Sequence, residues 1–305
     1  MELKERLYNH LTQIVRDRNP YLASAGHFYV QQYIRQQLEQ WGNVEIDEFQ
    51  VRGKVHHNLI LSLPSGESPL SPLQKAGSKD EGSKNYESNT SASKKELPPI
   101  LIGAHYDTVP GSPGADDNGT GVAVLLELAS AIASQPIKYP VQLIAFDMEE
   151  YGFLGSQHYA AKLKAQNQPL RLMISLEMLG YCDDTPNSQS YPAGLKYFYP
   201  NCGNFIALIG NLRTIPDMIT LRNRICKSGS NCEFLPVPNR GTIVPDTRRS
   251  DHSPFWDRGY PAMMVTDTAN MRNPHYHQES DKIETLNLDF LAGICQGLEA
   301  GIRCL

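Results

Sequence analysis

Along the first forty residues the apolar positions recur at helical spacing. Leu3, Leu7, Leu11 and Ile14 make one stripe, which Asn19-Pro20 interrupts. Phe28, Tyr33, Ile34, Leu38 and Trp41 make a second, with Ser24 as its candidate N-cap and Gly42 as its stop. Residues 44–50 then alternate apolar and polar, as a half-exposed strand does, and 57–63 are more continuously apolar, as in a buried strand. Further on, short apolar runs alternate with helical stretches. Strands are predicted over 100–104, 141–146, 173–176, 205–209 and 262–266, helices over 121–133 and 156–164, and a closing helix over about 288–302. That alternation predicts an α/β fold: a three-layer α/β/α sandwich around a central mixed, largely parallel sheet. No internal repeat is visible, and one domain over 1–305 is the simplest count.

Residues 64–98 break the pattern. They are dense in Ser, Lys, Gly, Asn and Pro and offer almost nothing to bury, which predicts a disordered surface insertion between neighbouring strands. The chain as a whole, 305 residues and 40% hydrophobic, has apolar material for a sizeable core. Its 28 Lys and Arg against 33 Asp and Glu leave a net charge of −5, and Lys94-Lys95 and Arg248-Arg249 are too short to make a basic block. Nucleic acid is therefore not expected as a partner. No stretch approaches the roughly 18 apolar residues of a membrane span. The N-terminus runs straight into an amphipathic helix without the apolar core of a secretory signal, so the expected location is cytoplasmic, with no membrane contact. Six cysteines (Cys182, Cys202, Cys226, Cys232, Cys295, Cys304) form no C-x-x-C pair. Free thiols are expected in a reducing compartment, Cys226–Cys232 being the pairing to check first.

The candidate chemistry sits at the strand ends. In a parallel sheet, ligands bind beyond the carboxyl ends of the strands. The strand at 100–104 leads into His105-Tyr106-Asp107, that at 141–146 into Asp147-Met148-Glu149-Glu150, and that at 173–176 into Glu177. The strand at 262–266 precedes a segment carrying His275, His277, Glu279 and Asp281, and a helix opens on Asp116-Asp117-Asn118-Gly119. A lone His or a Glu-Glu pair is ordinarily loop or surface chemistry, and Asp-Asp before Asn-Gly is ordinarily a turn. Their joint occurrence at the ends of buried strands changes that reading, because unpaired charge there is costly and a metal cluster relieves it. Imidazoles and carboxylates without thiolates suit Zn²⁺ kept open to water, with Mn²⁺ and Co²⁺ as alternatives. Two metals would need a bridging carboxylate, one imidazole each and one further carboxylate each. The inventory supplies that set and leaves Glu149 spare beside it, where a general base belongs.

These residues stand in a familiar order. Gly103-Ala104-His105-Tyr106-Asp107-Thr108, Pro113-Gly114-Ala115-Asp116-Asp117-Asn118-Gly119-Thr120-Gly121, Phe146-Asp147-Met148-Glu149-Glu150-Tyr151-Gly152 and Ser175-Leu176-Glu177-Met178-Leu179-Gly180 resemble the zinc aminopeptidases of clan MH, metallopeptidase family 28. Ser250-Asp251-His252-Ser253-Pro254-Phe255-Trp256 and Tyr276-His277-Gln278-Glu279-Ser280-Asp281 resemble later motifs of that family. The resemblance implies the zinc exopeptidase fold, peptide substrates and two Zn²⁺ per chain. It assigns His105 and Glu177 to one zinc, Glu150 and His277 to the other, and Asp117 to both. Glu149 would activate the metal-held water and pass its proton to the leaving amine. Asp107 and Asp281 would orient the two imidazoles, and a cis peptide is implied at Asp117-Asn118. The family's offset before Gly121 favours Asp117 over Asp116, and the H-x-x-x-D pattern favours His277 over His275. His252 reads as a pocket-wall or structural residue. Glu177 stands where some members have Asp, and Thr120 where Ser is commoner.

The pocket for the cleaved residue's side chain has only loose candidates, Tyr181, Phe255, Tyr260 and Met271. Two rival readings remain. A single-zinc glutaminyl cyclase is similar in fold, but the 113–121 loop has the aminopeptidase pattern. A non-catalytic binding domain would leave five ligands and a base idle.

Overall fold

The computed structural model describes residues 1–66 and 97–305. Apart from its ends, the insertion expected at 64–98 lies outside the described residues. Among these, eight strands form one sheet: β1 (Val44–Val51), β2 (Lys54–Leu63), β3 (Ile100–His105), β4 (Val141–Phe146), β5 (Leu172–Glu177), β6 (Phe205–Asn211), β7 (Asn231–Val237) and β8 (Ala262–Thr266). Their spatial order is β1-β2-β4-β3-β5-β8-β6-β7. The four central strands, β4, β3, β5 and β8, are mutually parallel, whereas β1, β2 and the β6-β8 pairing are antiparallel. The sheet is therefore mixed, and its parallel centre carries the ends of interest.

Alternation along each central strand sends side chains to two separate cores. Ile100 and Ile102 of β3, Leu143 and Ala145 of β4, and Ile174 and Leu176 of β5 face the larger one. It is covered by α1 (Leu3–Ile14), α2 (Ser24–Glu39), α3 (Gly121–Ser134), α5 (Ile215–Lys227) and α7 (Leu288–Ile302). Leu101, Ile144, Phe146 and Met173 face the other, closed by α4 (Leu154–Ala165) and the short α6 (Ser253–Asp257). Burial on both faces explains why β3 reads as an unbroken apolar run. No described helix is long and apolar enough to cross a membrane. All six cysteines are free thiols.

Three details differ from the sequence expectation. Helix α5 and strand β7 were not anticipated. Strand β7 is an edge strand with Pro236 inside it and polar Asn231 and Glu233, so its alternation is weak and proline costs it little. Ser24 lies inside α2 and caps nothing. Phe28 (61% exposed) and Trp41 (37%) turn outward, while Val30, Gln31, Ile34 and Leu38 turn inward. The inner face of α2 is part polar because it must satisfy buried groups: Gln31 donates to the Tyr106 hydroxyl, and His27 meets Asp147.

Candidate metal centre

Parallel pairing aligns the carboxyl ends of β4, β3 and β5, with His105 opposite Phe146. The side chains that follow converge in one groove. His105 Nε2 lies 3.3 Å from Asp117 Oδ1, 3.5 Å from Glu177 Oε1 and 4.0 Å from Glu149 Oε2. His277 Nε2 lies 3.1 Å from Asp117 Oδ2 and 3.2 Å from Glu150 Oε2. The two oxygens of Asp117 thus face different imidazoles. The structure brings together His105, Asp117, Glu149, Glu150, Glu177 and His277.

The loops that deliver them are clamped through side chains. Asp107 accepts from the backbone N–H groups of Glu149 (3.0 Å) and Glu150 (3.2 Å). Asp281 accepts from those of Asp116 (2.9 Å) and Asp117 (3.1 Å). Its expected contact with His277 is replaced by this grip on the Asp117 backbone, and His277 instead stacks on the Tyr276 ring at 3.8 Å. Asp107 does approach His105, 3.6 Å from Nδ1. Met148, Met178 and His277 all adopt left-handed backbone conformations, and the Asp117-Asn118 peptide is cis. For non-glycine residues such dihedrals persist where surrounding bonds enforce them. Here Met148 N–H donates to Asp147, and Met178 N–H to Asn118.

The alternatives left open by spacing are occupied elsewhere. Asp116 accepts from Gly180 N–H and Asn273 Nδ2, and His275 pairs with Ser280. His252 is buried, bonded to the Thr247 carbonyl and edge-on to Trp256, and burial pulls its imidazole down to about 3, which keeps it neutral. Of the pocket candidates, Met271 borders the groove. Phe255 and Tyr260 belong to the smaller core, and the Tyr181 ring meets His275.

Two neighbouring arrangements, the burial of Arg18 and the pairing of Asp147 with two histidines, had no local signal in the sequence. Arg18 is fully buried and donates to the carbonyls of Tyr106 (2.7 Å), Pro113 (2.7 Å), Gly114 (2.9 Å) and Asp117 (3.3 Å). Gly114, in left-handed conformation, leaves the space for this, since a Cβ there would strike the Asp117 carbonyl, the Thr108 methyl and the guanidinium. Asp147 is held between His27 (2.8 Å) and His56 (3.1 Å). A buried Arg and paired His and Asp residues far apart in sequence leave no periodic trace, so only the fold reveals them.

The residues present fit a metal cluster. His105 Nδ1 and Nε2, His277 Nε2 and Glu150 Oε1 are buried without hydrogen bonds, although acidic oxygens surround both imidazoles. Separations of 3.1 to 3.5 Å between donor atoms match the edges, about 3.3 Å, of a tetrahedron with metal–ligand bonds of about 2 Å. Among the described residues, His105, Glu149 and Glu177, and His105, Asp117 and Glu150, are the two groupings of three or more His, Cys, Asp or Glu residues whose donor atoms all lie within 4.8 Å of one another.

Electrostatics agree. Burial lowers the His105 imidazole, but Glu149, Glu177 and the adjoining aspartates carry it well above its ordinary value. Asp117 and Glu150, 3.1 and 3.2 Å from His277, outweigh its burial and raise it to about 10. Despite burial, the same imidazoles hold Asp117 below the usual carboxylate range. Burial pushes Glu149 well up and, with Asp117, takes Glu150 to about 7. Both shifts favour the protonated imidazole at pH 7 in the metal-free protein, so a metal ion bound there would have to displace those protons. Zinc uptake at pH 7 is expected to release protons, and zinc affinity to rise as pH climbs toward about 10. Titration calorimetry in buffers of different ionisation enthalpy measures this; uptake without net proton release would contradict the ligand set.

Comparison with known proteins agrees with this geometry. The sequence profile of Peptidase family M28 matches residues 87–211 and 223–298, more than half of the chain. Protein YfbL of Escherichia coli K12 is 39% identical over 217 residues, covering 66% of this chain and 65% of its own. Leucine aminopeptidase 1 of Emericella nidulans is 28% identical over 209 residues, covering 63% and 48%. The chain thus spans less than two thirds of the length of these relatives. In fold, it is similar to the LapA aminopeptidase of Legionella pneumophila (TM-score 0.69, 19% identity, 99% of this chain and 71% of that one). The glutaminyl cyclase of Macrostomum lignano is equally similar (TM-score 0.69, 18% identity, 98% and 88%). By motif order, sheet topology and profile match, the chain belongs to peptidase family M28.

Proposed function

We propose that the protein is a dizinc aminopeptidase, hydrolysing the first peptide bond of substrates with a free N-terminus. The observation that carries this is the split of Asp117, one oxygen toward His105 and the other toward His277, with a further carboxylate beside each imidazole. Zinc held by His105, Asp117, Glu150, Glu177 and His277 would supply Lewis acidity, acidifying water and polarising the scissile carbonyl. Glu149 stands at the groove with no ligand duty in this set. It takes a proton from the attacking water as the new C–O bond forms, and returns it to the amine nitrogen as the C–N bond breaks. Ser250 donates to Glu177 at 2.7 Å and is itself bonded to Ser175, which fixes that carboxylate. A groove carboxylate beside the metal ligands would receive the substrate ammonium, which is how a free amino end would be recognised.

A small apolar chamber of about 70 Å³ adjoins the groove, sharing Ile209, Asp246, Thr268 and Met271 with it. Phe205, Ala207 and Ile209, alternate positions of β6, line it together with Leu195 and Leu235. In this reading the chamber holds the side chain of the first residue. Ala207→Leu should lower kcat/KM for N-terminal Leu or Phe by roughly 10- to 100-fold and spare N-terminal Ala. An equal fall for all three would place the side chain elsewhere. The peptidase reading itself is tested with aminoacyl and N-blocked peptides, with and without chelator. Cleavage of blocked peptides would remove the aminopeptidase assignment and keep the hydrolase. Cyclisation of N-terminal glutamine without peptide hydrolysis would instead favour the cyclase relatives.

A further inference from the structure

The groove has one permanent cation among its described lining residues. Asp117, Glu149, Glu150, Glu177 and Asp246 line it as carboxylates, and Arg249 stands on its rim. Arg249 is exposed and forms no ion pair among the described residues. Its contacts are neutral: Nη1 to Asn270 Oδ1 at 3.4 Å and Nη2 to the Tyr276 hydroxyl at 3.2 Å. Its guanidinium carbon lies 5.8 Å from the centre of the Tyr276 ring, which in turn stacks on His277 at 3.8 Å. The guanidinium is therefore anchored to the segment that carries His277, with donors left unpaired.

Resting on the aminopeptidase reading, we infer that Arg249 binds a carboxylate one or two residues beyond the cleaved bond, and that the substrates are short peptides with a free C-terminus. The two ring distances place the guanidinium within about 10 Å of the His277 imidazole, the reach of two to three extended residues at about 3.5 Å each. Among the groove's lining groups outside the zinc set, Asp246 and Glu149 would repel a carboxylate. At Arg249 it meets a planar fork matched to two oxygens. A dipeptide or tripeptide zwitterion is thereby aligned, with its ammonium toward the acidic floor and its carboxylate at the rim. An acidic side chain on the second residue would present the same chemistry, so the test separates the two sources.

The test compares kcat/KM of the zinc-loaded protein for leucyl-alanine, leucyl-alanine amide and leucyl-glutamate α-amide. Wild type should favour the free acid over the amide by roughly 10- to 100-fold. That ratio should fall to near one in Arg249→Gln and stay intermediate in Arg249→Lys, which keeps the charge and loses the fork. If the glutamyl amide matches the free acid, and Arg249→Gln removes its advantage too, the site accepts a side-chain carboxylate as well. A wild-type acid-to-amide ratio near one overturns the inference while leaving the peptidase reading intact. An equal fall for acid and amide in Arg249→Gln also overturns it. Failure to cleave any of the three overturns the peptidase reading and this inference with it.

Discussion

Glu149→Gln should retain its zinc and lose peptide hydrolysis. The substitution keeps the shape and removes the one duty the proposed mechanism gives this residue, accepting a proton. General acid–base catalysis by a positioned side chain contributes roughly 10²- to 10⁴-fold, and kcat should fall by that order. KM should change little, because the amide still fills the space. Metal retention is expected because Glu149 is the carboxylate left over once Asp117, Glu150 and Glu177 are assigned. Its turn is moreover held through the backbone, by Asp107 on the N–H groups of residues 149 and 150, and not through its side chain. The readouts are elemental analysis for zinc and steady-state kinetics on an unblocked peptide. Activity above about a tenth of wild type with unchanged zinc would remove Glu149 from the mechanism. Loss of zinc alongside activity would make it a ligand, consistent with its 4.0 Å approach to His105 Nε2.

Arg18→Met is the second large effect, and it falls on stability. The Arg18 side chain is fully enclosed and donates to four carbonyl groups between Tyr106 and Asp117. Burial lowers the guanidinium to about 10, still charged at pH 7, with the Asp117 and Asp281 carboxylates opposing that fall. Methionine fills much of the volume but leaves those oxygens bare in a dry site. Bare buried acceptors cost about 1–3 kcal/mol each, and losing one partner of a buried charged network costs about 3–5 kcal/mol. A net loss of several kcal/mol is a large share of the roughly 5–15 kcal/mol that holds a folded protein together. The melting temperature should drop by on the order of 10 °C. Arg18→Lys should recover only part of the loss, because a single ammonium cannot span the Tyr106 and Gly114 carbonyls together. Thermal unfolding by circular dichroism measures both variants. A shift of the Met variant within about 2 °C of wild type would show that the loop holds its shape without the guanidinium.

Much of this architecture was legible from local pattern. The central strands are buried on both faces, so they appear as apolar runs at 100–104, 141–146 and 173–176, each ending in charge. Apolar residues that stop abruptly at His105, Asp147 and Glu177 mark both the sheet and the edge where ligands gather. Helices α3 and α7 have strong apolar stripes and were equally visible. Where the inner face of an element is polar, the pattern misled: α2 turns His27 and Gln31 inward to serve Asp147 and Tyr106, and lets Phe28 face solvent. Edge strand β7 needs no alternation on its open side and escaped notice for that reason.

The sequence by itself determined the fold class, the family and the inventory of candidate ligands, because motif order along the chain survives without coordinates. Only the tertiary structure decided how those residues are held. It turned Asp281 from a partner of His277 into a clamp on the Asp117 backbone, and sent Asp116 to Gly180 and Asn273. It also brought Arg18 from the first helical hairpin into the loop that carries Asp117, and seated Arg249 beside Tyr276 on the groove rim. The physical reason is one of range. Periodicity and motif spacing report contacts within about ten residues of chain, whereas desolvated charges find their partners across the whole molecule, wherever the sheet brings loops together.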